Sequence, residues 1–172
     1  MQKQIVKILF SLIILPVFLV GCQTAKVQPT DNELLAQALA DSGLQFEETD
    51  RGIVVYLPAL SFEYGSSDLI PESRDKLRFV ADAVNANFAL NRSISVEGHT
   101  DSKGAEAYNM ELSKKRAESV MDELIFSRVQ EDRLQAAWFG ETQPRAPNEN
   151  ADGSDNPEGR ALNRRVEIII LN

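Results

Sequence analysis

The chain opens on an apolar run from Ile8 to Val20 behind Lys3 and Lys7, then passes through stretches that alternate between helical and extended periods. "ELLAQALADSG" (33–43) carries Leu34, Leu35, Ala38 and Leu39 at helical spacing and stops at Gly43. "LQFEETDRGIVVYLP" (44–58) alternates on both sides of "DRG", which predicts a hairpin. A strand is expected to end near Phe62, followed by a polar loop and a helix with Pro71 at its first position. In that helix Leu77, Val80, Ala81, Val84 and Phe88 share one face. "RSISVEGHT" predicts a strand through Ile94 and Val96, and a second helix is expected from about Tyr108 to Phe126, burying Ser113, Ala117, Val120, Met121 and Leu124. After a helical turn at "QEDRLQ", "LQAAWFG" predicts a strand. The stretch 141–160 has three prolines and almost no apolar side chain, so it is expected to be a long loop; "RRVEIIILN" then reads as a buried strand. This order predicts an α+β fold, a two-layer βαβαββ domain with helices packed on a mixed parallel and antiparallel sheet.

The N-terminal run is a leader rather than part of the fold. A basic n-region followed by 13 mostly apolar residues, interrupted by Pro16, has the form of a secretory signal and is short for a permanent span. It ends in "LVGC", which resembles the lipobox of bacterial lipoproteins, where the cysteine receives lipid and becomes the mature N-terminus. Cys22 is the only cysteine, so no disulfide can form within the chain, and lipidation accounts for a lone thiol in an exported protein. Several acyl chains, at about 0.8 kcal/mol per buried methylene, hold such a chain firmly on a membrane. The same resemblance makes Gln23 a signal for the outer membrane. The expected layout is a signal peptide at 1–21, a flexible tether at 22–32, a helix and hairpin extension at 33–57, and the main domain at 58–172, facing the periplasm.

Cleavage before Cys22 would leave 151 residues, enough for one domain, and move the net charge from −8 to −10 through loss of Lys3 and Lys7. So acidic a chain is a poor ligand for nucleic acid or anionic lipid by bulk charge. An anionic partner must be gripped by a few placed cations.

"GHTDSKGAEAYNMELSKKRAESV" (98–120) places Asp101 on a loop after a strand and Arg116 inside the next helix. Helical side chains lean toward the N-terminus, which carries the Arg116 guanidinium back toward that loop. If the two converge on a rim, the guanidinium takes a carboxylate bidentately and the aspartate takes an ammonium, matching a zwitterionic amino-acid head. The alternatives are a surface ion pair without function, or loop capping by Asp101.

Taken together, "SFEYGSSDLIPES", "VEGHTDSKGAEAYNMELSKKRAESVMDEL", "WFGETQP" and "EGRALNRRVEI" resemble the OmpA-like peptidoglycan-binding domain, over roughly residues 53–171. The lipobox makes the peptidoglycan-associated lipoproteins the nearest in layout. The resemblance implies a wall-binding lipoprotein that tethers the outer membrane to peptidoglycan without covalent linkage. It implies that Asp101 and Arg116 clasp the diaminopimelate of the stem peptide, that Thr100 and Asn109 add hydrogen bonds, and that Arg164 offers a second cation. Gly65 and Ser66 would present backbone groups from the loop after Phe62.

Three other readings compete. An enzyme is not expected, since His99 is the only histidine and has no plausible nucleophile partner, and Glu97 with Asp101 shows no sign of a shared glycosidase site. Neither metal nor other cofactor is expected: "HTD" offers two ligands where a closed zinc site wants about four, and "NENADGSDN" lacks the spaced glutamate of an EF-hand. The third is a scaffold in an envelope or secretion complex that uses the wall only as an anchor and has a protein partner.

Overall fold

The computed structural model describes residues 28–63 and 66–172. The expected leader, Cys22, most of the expected tether, and Tyr64 and Gly65 lie outside the described residues. Helix α1 (Asp31–Ala40) leads into β1 (Gln45–Thr49) and β2 (Gly52–Pro58), followed by α2 (Pro71–Val84), β3 (Ile94–His99), α3 (Glu106–Phe126), β4 (Leu134–Gly140), α4 (Pro157–Asn163) and β5 (Arg165–Leu171). The five strands form one sheet in the order β1-β2-β5-β3-β4. Strand β5 runs antiparallel to both β2 and β3, and β3 pairs parallel with β4. The segment β2–α2–β3 is therefore a split crossover whose gap is filled by the last strand.

Helices cover one face. Leu77, Val80, Ala81 and Val84 of α2 and Ala117, Val120 and Leu124 of α3 meet Val55, Leu57, Ile94, Val96, Val166, Ile168 and Ile170 in a single core. Pro71 occupies the first turn of α2, where its missing N–H costs nothing. Helix α1 starts on a capping box between Thr30 and Glu33 and sinks Leu35 and Leu39 into the same core. The hairpin that the sequence places ahead of the domain is two strands of its sheet, with β2 joined to β5 along its whole length. Residues 33–57 are thus built into the domain rather than appended to it.

Two local expectations differ from the structure. Strand β2 ends at Pro58, and the chain turns through a short 3-10 helix (Ala59–Ser61) before Phe62, which makes only an isolated bridge to Leu69. The long loop is also shorter than expected, because α4 begins at Pro157 behind the Asn156 N-cap, whose side chain accepts the Gly159 N–H. Apolar periodicity missed α4 because it buries Gly159 and Asn163 instead of a hydrophobic stripe. Asn163 is sealed and fully engaged: its carbonyl accepts from the Arg145 and Ala146 N–H groups, and its amide donates to Ala146 O and Asn148 Oδ1. One side chain therefore pins the loop 141–156 to α4.

Val54, Tyr56 and Ile169 form a smaller cluster on the sheet's second face. The Arg145 guanidinium lies 3.8 Å from the centre of the Tyr56 ring, whose hydroxyl donates to Glu47. Burial, then that hydrogen bond, push the Tyr56 pKa up to about 12.

Candidate functional site

Gly98 lies where β3 passes under α3: a Cβ there would sit 2.0 Å from Ser113 O. The close crossing sets the loop after β3 against the first turns of α3. Thr100 N–H donates to Gly140 O at 2.8 Å, Asp101 Oδ1 accepts the Lys103 N–H at 3.1 Å, and the Asn109 amide donates to Asp101 O at 3.2 Å and to Glu141 Oε2 at 2.6 Å. Asp101 is thus held from both sides, with its Oδ2 turned to the arginines of α4.

Arg116 projects from α3 toward the loop after β2. Its Nε donates to Ser66 O at 3.2 Å, and the guanidinium stands 5.0 Å from the Phe62 ring centre. It is only 7% exposed, and no carboxylate among the described residues forms an ion pair with it. Burial lowers its pKa, offset in part by Tyr108 and Asp101 and reinforced by Arg164. The group stays charged, since guanidinium does not titrate in the accessible range.

Arg116 shares a cleft of about 660 Å³ with Arg160, Arg164, Glu63, Leu60 and Phe62. Arg164 Nη1 donates to Asp101 Oδ2 at 2.7 Å, and Arg160 Nη1 donates to the same oxygen at 3.3 Å. Asp101 therefore borders the cleft through Arg164 and Arg160 and is near enough to influence Arg116 without pairing with it: the aspartate is neutralised by those two arginines, and the α3 guanidinium is left facing the cleft. Leu60, almost wholly exposed, stands on the rim. The cleft thus gathers three guanidiniums and the Glu63 side chain, with Asp101 held against two of the arginines.

Of the residues singled out from sequence, Asp101, Arg116 and Arg164 converge, and Ser66 contributes its carbonyl to Arg116. Thr100 and Asn109 are buried behind the loop; Asn109 braces Asp101 rather than lining the cleft, and Thr100 Oγ1 has no hydrogen-bond partner among the described residues. Sequence reasoning passed over Arg160, Asn163 and Glu141. Asn156-Pro157 was the usable signal for α4, and a helix there puts Arg160 and Arg164 four residues apart on one face.

A separate polar group lies on the second sheet face. Ligand atoms of Glu97, His99 and Glu167 come within 4.8 Å of one another. Arg51 grips Glu97 at 2.5 and 3.1 Å, and Arg165 grips Glu167 at 2.6 and 2.7 Å, so both carboxylates are already neutralised and their guanidiniums oppose a metal cation. His99 is 1% exposed, stacks on Phe139, and finds no hydrogen-bond partner for either nitrogen among the described residues. Burial, then the neighbouring Arg165, lower its pKa to about 4.

Comparison with known proteins places these features in context. A family model described as the OmpA family matches residues 61–157. The chain is 42% identical over 118 residues to outer membrane protein A of Bordetella avium, covering 69% of this chain and 57% of that protein. It is 33% identical over 144 residues to the peptidoglycan-associated lipoprotein of Pseudomonas putida, covering 84% of this chain and 79% of that one. Among solved structures, the cell wall anchor of the T6SS from Pseudomonas aeruginosa matches with a TM-score of 0.65 at 29% identity, covering 80% of this chain and 97% of that one. The chain spans 14%, 57% and 30% of the length of the first three curated relatives it matches.

Proposed function

The chain belongs to the OmpA family, and from that premise we propose that it binds peptidoglycan non-covalently through the diaminopimelate of the stem peptide. The single observation that carries this reading is Arg116, a buried guanidinium in a cleft with no carboxylate partner among the described residues. A buried charge left unpaired costs several kcal/mol unless something supplies the counter-charge, and a carboxylate entering the cleft does so. In this reading Asp101, held by Arg164 and Arg160 at the edge of the cleft, takes the ammonium on the same ligand carbon. Diaminopimelate brings both groups at the free end of its side chain.

Among the described residues the cleft offers guanidiniums but no nucleophile with a base beside it, and His99 is sealed on the other sheet face. The gathered guanidiniums support a binding module, and that is the role this reading gives the domain. Cys22 carries the lipid in this reading, so the domain hangs from the outer membrane into the periplasm and ties that membrane to the wall.

Sedimentation with purified sacculi tests the proposal. Asp101→Ala and Arg116→Ala are each expected to move the soluble domain from pellet to supernatant while leaving its circular dichroism unchanged. Folded variants that still pellet with the wall would remove the site from the reading. Lipidation is read separately: mass spectrometry of the membrane-extracted protein should show an acylated Cys22, and Cys22→Ser should release it.

The likeness to a cell wall anchor, which extends over nearly the whole of that protein's solved chain, favours one further reading. The domain then serves as the wall anchor of a larger envelope assembly. A folded Asp101→Ala variant that loses the wall yet still co-purifies with a protein partner would favour it.

A further inference from the structure

The cleft holds three guanidiniums, yet one zwitterionic head uses one carboxylate. Arg160 accounts for the surplus. Its Nε and Nη2 are committed to Asp155 at 2.9 and 2.6 Å, while only Nη1 reaches Asp101, at 3.3 Å. Arg164 makes the shorter contact to the same Oδ2, at 2.7 Å, and Asp101 Oδ1 is occupied by the Lys103 N–H. When a ligand ammonium arrives at Asp101, the contact most easily given up is therefore the one from Arg160. Letting go leaves Arg160 moored to Asp155, with one N–H edge free inside the cleft. Arg164 keeps its hold, and Oδ2 has lone pairs for both Arg164 and the ammonium.

Resting on the peptidoglycan reading, we propose that Arg160 is a specificity-determining residue. It caps Asp101 in the free protein and, on binding, turns its Nη1 to a second carboxylate of the ligand, so the site prefers a stem peptide that ends in diaminopimelate with both carboxylates free. Arg116 takes the carboxylate of the zwitterionic head, and Arg160 takes the one at the chain end. A ligand whose chain-end carboxylate is amidated leaves Arg160 facing a neutral group after it has given up Asp101.

The test uses two probes: the stem tripeptide ending in diaminopimelate with both carboxylates free, and its monoamide at the chain-end carboxylate. Calorimetry on the folded domain should show the free acid bound about tenfold more tightly, the size of one charge-assisted contact. In Arg160→Gln that ratio should collapse toward one. Arg160→Lys keeps the charge but gives up the fork, and its ratio should fall between the two; it also carries the test if the glutamine variant does not fold. Binding of both probes alike by the wild-type domain, or an unchanged ratio in Arg160→Gln, overturns the role of Arg160 and leaves the wall-binding reading standing. Binding of neither probe by the wild-type domain overturns the wall-binding reading itself.

Discussion

The amide of Asn109 donates at once to the backbone carbonyl of Asp101 and to Glu141 Oε2, so the first turn of α3 ties the acid-bearing loop to the segment that follows β4. The contact lies behind the binding face. It gives Asn109 a positioning part in the site rather than a ligand-touching one.

Asn109→Ala is therefore expected to weaken sedimentation with sacculi about tenfold, through loss of a buried hydrogen bond that holds the loop. A structural role predicts that affinity for free and amidated tripeptide falls by the same factor. A change in their ratio would put Asn109 on the ligand instead.

Gly98→Ala should destabilise the domain by about 2–3 kcal/mol or more, since the added methyl meets the backbone of α3 and not a side chain that can swing away. Urea unfolding reads the effect. A loss below about 0.5 kcal/mol would mean that α3 and β3 can separate more easily than the crossing implies.

Leu39→Ala should cost about 2–5 kcal/mol, the range for a large-to-small change in a packed core. This distinguishes an integral α1 from an appendage, because an appended helix would lose its own structure without moving the unfolding midpoint of the sheet. Far-UV and near-UV circular dichroism should melt together.

Acidification should destabilise the fold through His99. Its folded-state pKa of about 4 lies below the ordinary 6.5, so between those values the unfolded chain takes up a proton that the folded chain refuses. The stability contributed by the neutral ring is full above about pH 6.5 and is lost as pH falls toward 4, by roughly 2–3 kcal/mol at most. Glu97 adds a loss of the same sign: burial alone would raise its pKa, but hydrogen bonds from Arg51 and Ser95 hold it below the usual value. His99→Phe keeps a ring against Phe139 and removes the titration, so its stability should vary less between pH 6.5 and 4. An unchanged slope would place the acid sensitivity elsewhere.

Periodicity made most of this fold legible. The apolar faces of α2 and α3 were readable from aliphatic residues at helical spacing, and β5 from the unbroken apolar run Ile168–Leu171. Helix α4 was not, since it is buried through a glycine and an asparagine and holds a loop by hydrogen bonds instead of packing a stripe. Arg160 was hidden with it, because only the helical turn sets it beside Arg164. The assignment of Asp101 and Arg116 to one site came from motif resemblance; that Arg164 neutralises Asp101 while Arg116 pairs with no carboxylate among the described residues depends on contacts more than 40 residues apart, which no local pattern encodes.

Strand β5 occupies the slot between β2 and β3, and this sets a timetable for the newborn chain. The β1-β2 pair and the β3-β4 pair can each form, but they cannot join into one sheet until β5 takes its place between them. The same geometry makes clipping a handful of residues from that strand far more damaging than the same cut at β1, which lies at the margin of the sheet.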